Sequence, residues 1–107
     1  MMQVSKVKVE AGVCGFVTEI QALSDDRQKV TLKIESDCPQ VMDMAGEYTE
    51  SEGMMEVFLP FGESPLFKAA KNNLKHSACP VPTAVMKAIE VSCGLALPRD
   101  VAIKVEK

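Results

Sequence analysis

Apolar residues recur at two periods along this chain, and the change from one to the other divides it. Near the N-terminus Val7 and Val9 alternate with lysines, a first strand that ends in a turn at Glu10, Ala11 and Gly12. A second strand is predicted over 14–23. The polar stretch Ser24 to Gln28 then leads into KVTLKIE, where Val30, Leu32 and Ile34 share one face and Lys29, Thr31, Lys33 and Glu35 the other. A hairpin centred on Asp26 sets Ala22 opposite Val30, Ile20 opposite Leu32 and Thr18 opposite Ile34. At its open end it sets Cys14 opposite Cys38.

Beyond Cys38 the period becomes helical. Pro39 suits the first helical position, and Val41, Met44, Ala45 and Tyr48 recur at helical spacing until the polar TESEG, which reads as a solvated loop. MEVFLP, residues 55–60, reads as a strand or an extended connection. Ser64 and Pro65 form an N-cap and N1 pair for a helix to about Lys75, with Leu66, Ala70 and Leu74 inward. A third helix is predicted over 83–93 with Val85, Met86, Ile89 and Cys93 inward, and Gly94 fits a left-handed residue at its end. After Pro98, Val101, Ile103 and Val105 alternate with Ala102, Lys104 and Glu106, a final strand that returns to the sheet. This order predicts an α+β fold: a mainly antiparallel sheet of three to five strands with about three helices packed on one face, in a single domain over 1–107.

Composition narrows the function. With 107 residues, 47% of them apolar, the chain can bury a core without disulfides. A net charge of −3, with lysines scattered among glutamates, offers no basic stripe for a phosphate backbone, so nucleic acid is not an expected partner. MMQVSKVKVEAG has no apolar signal region and no apolar stretch is long enough to span a bilayer, which predicts a cytoplasmic protein with no membrane partner. A protein partner or a homo-oligomer stays open.

Four cysteines in a reducing compartment point to metal binding, redox work or packing in preference to a disulfide scaffold. Ser-x-Cys-Pro occurs twice, around Cys38 and Cys79, each time just before a predicted helix, where free backbone N–H groups and the helix dipole favour a thiolate. Cys14 lies in GVCG, whose small neighbours let backbone approach a sulfur closely. The hairpin register brings Cys14 to Cys38, and Cys79 joins them if the second helix returns the chain to that end of the sheet. His76, three residues before Cys79, would arrive with it. Cys14, Cys38, Cys79 and His76 are therefore the candidate metal ligands, with Cys93 as an alternative fourth. Three thiolates and an imidazole suit tetrahedral zinc, and three or four thiolates suit an iron–sulfur cluster. The spacing contains no C-x-x-C pair, so this reading rests on inferred geometry, and cysteines are also frequent core residues. No phosphate-binding loop and no paired catalytic carboxylates are visible.

The segments CGFVTEIQAL, VTLKIESDCPQV and HSACPVPTAVMKAIEVSCGLALPRDVAI resemble a small family of uncharacterised proteins from anaerobic bacteria and methanogenic archaea. The resemblance implies a reducing setting and transfers no catalytic residue. Three readings follow: a metal or iron–sulfur protein using the named ligands, a thiol-redox or sulfur-transfer protein using the same sulfurs, and an interaction module whose cysteines are inert.

Overall fold

A computed structural model describes residues 2–107. Three eight-residue strands, β1 (Gln3–Glu10), β2 (Val17–Ser24) and β3 (Lys29–Ser36), form an antiparallel meander, and a three-residue β4 (Glu50–Glu52) pairs with the far edge of β3. The helices are α1 (Pro39–Glu47), α2 (Gly53–Phe58), α3 (Pro65–Asn73) and α4 (Val81–Ser92). Helix α4 packs on β1 and β2, α1 packs on β3, and α3 bridges α1 and α4. The fold is α+β.

Alternation explains the sheet. Val9, Thr18, Ile20, Ala22, Val30, Leu32 and Ile34 are buried under the helices, while the lysines and glutamates between them face solvent. The helices answer with Val41 and Met44 from α1, Leu66 and Ala70 from α3, and Val85, Ala88 and Ile89 from α4, all at helical spacing. Ser64 caps α3 as its sequence suggests, its hydroxyl accepting from the N–H of Phe67. Gly94 takes the left-handed conformation, φ 73°, just past α4.

The hairpin register differs from expectation by two residues. Ala22 faces Leu32, Ile20 faces Ile34 and Thr18 faces Ser36, so the turn centres on Arg27. Asp26 causes the shift: its Oδ1 accepts from the N–H groups of Gln28 and Lys29, both at 2.9 Å, and Arg27 follows in the left-handed region at φ 62°. Those two N–H groups also hold the Asp26 carboxyl below its usual range. A slip of two preserves which face each side chain occupies, so the core is as expected. The direct pairing of Cys14 with Cys38 is not: β2 begins at Val17, leaving Cys14 in the preceding turn.

Three further expectations are corrected. Residues 55–60 are not extended; most of them belong to α2, which buries Gly53 and Glu56 and exposes Met54, Met55 and Phe58. The buried Glu56 carboxylate explains this inversion. It accepts hydrogen bonds from the Tyr48 hydroxyl, the Ser51 hydroxyl (3.3 Å) and the Leu66 N–H (3.1 Å), tying α1, β4 and α3 to one side chain. TESEG is not a loop, because Glu50 to Glu52 form β4 and Gly53 opens α2, its N–H donating to the Gln28 carbonyl at 2.7 Å. The final strand is absent: residues 95–107 carry no helix or strand, and Val101, Ile103 and Val105 are exposed. Alternation states which side chains would share a face but supplies no edge to pair with.

Candidate functional site

Antiparallel order puts the β1–β2 turn and the end of β3 at the same end of the sheet. Cys14 occupies that turn. Gly12 and Gly15 take positive φ, 91° and 73°, and the Gly15 N–H closes the turn on the Gly12 carbonyl at 2.9 Å, leaving Cys14 exposed at the tip. Cys38 lies where β3 hands over to α1 as the N-cap residue of that helix, half-buried against the core. Its N–H donates to Ser36 Oγ (3.1 Å), and that hydroxyl also pairs with Thr18 Oγ1 (2.7 Å) on β2.

Helix α4 decides where Cys79 lies. The C-terminal end of α4 sits at the opposite end of the sheet, where Cys93 touches Gly53 and Gly94 lies against Arg27 of the β2–β3 turn. Twelve residues of helix span about 18 Å, most of the length of the strands beneath. The N-terminal end of α4 therefore returns to the Cys14 and Cys38 end. A direct bond fixes the approach: the Lys75 N–H donates to Gln40 Oε1 at 3.0 Å, joining the α3–α4 link to the first turn of α1.

Cys79, half-buried, accepts a hydrogen bond at sulfur from the N–H of Val81 in the first turn of α4. The helix start alone would favour its thiolate. Burial outweighs that bond and pushes the thiol up, and the charges of Cys38 and Cys14 add to the rise. The Cys79 sulfur is thus within electrostatic reach of both Cys38 and Cys14. His76 lies in the same turn, its carbonyl accepting from the Cys79 N–H at 3.2 Å, and is exposed.

Cys93 does not belong to this group. It is buried at the other end of α4, where burial raises its thiol and Asp26 and Glu52 contribute, with a Ser92 side-chain hydrogen bond opposing. Its role is packing against Gly53. Among the described residues no three His, Cys, Asp or Glu side chains are gathered closely enough to hold a metal ion as they stand. Zinc–sulfur bonds of about 2.3 Å require sulfurs nearly in mutual contact, so joint ligation needs the thiols closer together than they stand.

Residues 5–105 match a family of unknown function, DUF6951. The chain belongs to this family. A search of curated proteins finds no match. Among the described residues no helix is long and apolar enough to cross a membrane. Two anchoring groups of this DUF6951 site carried no signal in the sequence. Gln40 serves through a contact 35 positions away, and the Val81 N–H is backbone. Ser36 was visible in Ser-x-Cys-Pro, and its hydroxyl gives that serine a purpose around Cys38.

Proposed function

We propose that the end of the sheet carrying Cys14, Cys38 and Cys79 binds a thiophilic metal ion or an iron–sulfur cluster, with His76 as the fourth donor where zinc is bound. The observation that carries this reading is that three separate segments, the β1–β2 turn, the start of α1 and the link into α4, bring a thiol each to one end of the sheet. Thiolates that repel one another gain most from a cation between them, and each thiol that binds releases its proton to solvent. The surroundings fit the role: two half-buried sulfurs at helix starts provide a floor, and Cys14, exposed on a turn shaped by two positive-φ glycines, provides the closing ligand. The reducing cytoplasm is the compartment in which such thiols stay available.

A second reading, thiol-disulfide exchange or sulfur transfer through Cys14, is favoured by the exposure of that one sulfur. Elemental analysis and an absorption spectrum of protein purified without oxygen separate the two. Stoichiometric zinc, or iron with sulfide absorption, lost in Cys38→Ser and in Cys79→Ser, is the expected result. Full metal content in both variants eliminates the ligand set. A metal-free protein whose mass shows a disulfide or a persulfide that reductant removes establishes the second reading instead.

A further inference from the structure

The C-terminal segment and the free edge of β1 complement each other, and among the described residues no strand pairing joins them. Val101, Ile103 and Val105 are 60%, 78% and 89% exposed and alternate with Ala102, Lys104 and Glu106, the pattern of a half-buried strand. Strand β1 lies at the margin of the sheet, paired with β2 on one side and, among the described residues, with no strand on the other. The bond from the Ala11 N–H to the Phe16 carbonyl sets the parity of the ladder: odd-numbered residues of β1 bond to β2. The N–H and C=O groups of Val4, Lys6, Lys8 and Glu10 are left for the free edge. An edge of this length without a strand partner is a template for another strand.

We propose that residues 100–105 add as a parallel strand to the free edge of β1 in a second copy of this chain. With Val101 beside Val7, Ile103 falls beside Val9 on the helix side of the sheet. On the outer side Asp100 falls beside Lys6 and Lys104 beside Glu10, so opposite charges meet twice. A one-residue slip turns the apolar side chains outward. Sliding the tail two residues toward the start of β1 sets Lys104 beside Lys8 and Glu106 beside Glu10, like against like.

The chain's own tail does not take this position: residues 95–107 carry no strand, and Val101, Ile103 and Val105 stay exposed. The segment leaves α4 at Gly94, which lies against Arg27 of the β2–β3 turn. The occupant that fits the β1 edge is therefore the tail of a second copy, whose approach is not tied to that starting point. Reciprocal exchange then gives a two-fold dimer in which each copy lends a strand and receives one.

The test is light-scattering mass of the 107-residue chain under reductant, from micromolar to millimolar concentration. Wild type should shift toward the two-chain mass as concentration rises. Ile103→Asp, at an exposed position, should keep the circular dichroism and melting temperature of dilute wild type and stay at the one-chain mass. Lys8→Pro removes an N–H from the free edge and none from the β1–β2 ladder, and should also stay at the one-chain mass. Mixing the two variants pairs an intact edge with an intact tail, and should recover a two-chain species. Should Lys8→Pro not fold, hydrogen exchange decides: the Lys6 and Lys8 amides should slow by at least about tenfold on concentrating wild type and not Ile103→Asp. A one-chain mass for wild type throughout, or a dimer that survives Ile103→Asp, overturns the proposal.

Discussion

Gly53→Ala provides a demanding check on the packing between α2 and α4. A Cβ built on Gly53 overlaps the sulfur of Cys93 and lies 3.3 Å from both the Gln28 carbonyl oxygen and Val30 Cγ2. Relief by rotation is limited, because Cys93 is buried at the end of α4 and its sulfur is one bond from the backbone-anchored Cβ. Overpacking of this kind costs about 1 to 3 kcal/mol, only partly offset by a helix-propensity gain of up to about 1 kcal/mol for alanine over glycine. Each lost kcal/mol lowers the melting temperature of a domain this size by about 4 to 8 °C. The informative experiment is the double-mutant cycle with Cys93→Ala, read by urea denaturation. Removing the sulfur leaves only the two 3.3 Å contacts, so Gly53→Ala should be nearly neutral in that background, giving a coupling energy of about 1 to 3 kcal/mol. Additive behaviour, or a Gly53→Ala single variant as stable as wild type, would refute the close approach and with it the purely structural role given to Cys93.

Glu56→Gln presents an amide N–H₂ to a site built from three donors, and should destabilise by about 1 to 3 kcal/mol in urea denaturation; an unchanged midpoint would mean that the network contributes nothing. Ser24 is buried with its hydroxyl unbonded, so Ser24→Ala should raise stability by about 1 kcal/mol, and a loss of that size would reveal a partner. The fold holds the Cys79, Cys93 and Tyr48 protons more tightly than an unfolded chain does. Their contribution is therefore complete below the ordinary thiol value of 9.0 and is lost as pH rises past it, because the unfolded chain ionises first. The urea midpoint of metal-free protein should fall between pH about 8 and about 10, and a flat profile would count against the burial of these groups.

What the sequence disclosed depended on whether polarity and burial coincide. Along KVTLKIE and in the face of α4 they do, and the core could be read directly from the spacing. Around α2 they part company: Glu56 is inside because three donors meet it, while Met54, Met55 and Phe58 are outside, and a rule that sends apolar residues inward assigns the wrong element. The turn at Asp26 was visible as a turn, but its register depends on side-chain bonds to two specific N–H groups, and the two-residue slip they impose leaves the faces intact. The thiol site was legible as two Cys-Pro helix starts and a glycine-flanked cysteine. The arrival of Cys79 at the same end of the sheet was not, because it depends on the direction of α4 and on Gln40 reaching Lys75, a tertiary contact with no local signature. The alternation of 101–105 was read correctly as a pattern and wrongly as an element within this chain.

The path of α4 from one end of the sheet to the other makes the cysteine end a closure point for the chain. Cys38 and Cys79 are separated by 41 positions that include α1, β4, α2 and α3. Any ligand or bond that joins their sulfurs removes loop-closure entropy from the unfolded ensemble, about 4 kcal/mol for a loop of this length on the chain-entropy account. Occupation of that point and docking of the last helix then become a single equilibrium, so a vacant and an occupied protein should differ first in how often α4 lifts from the sheet.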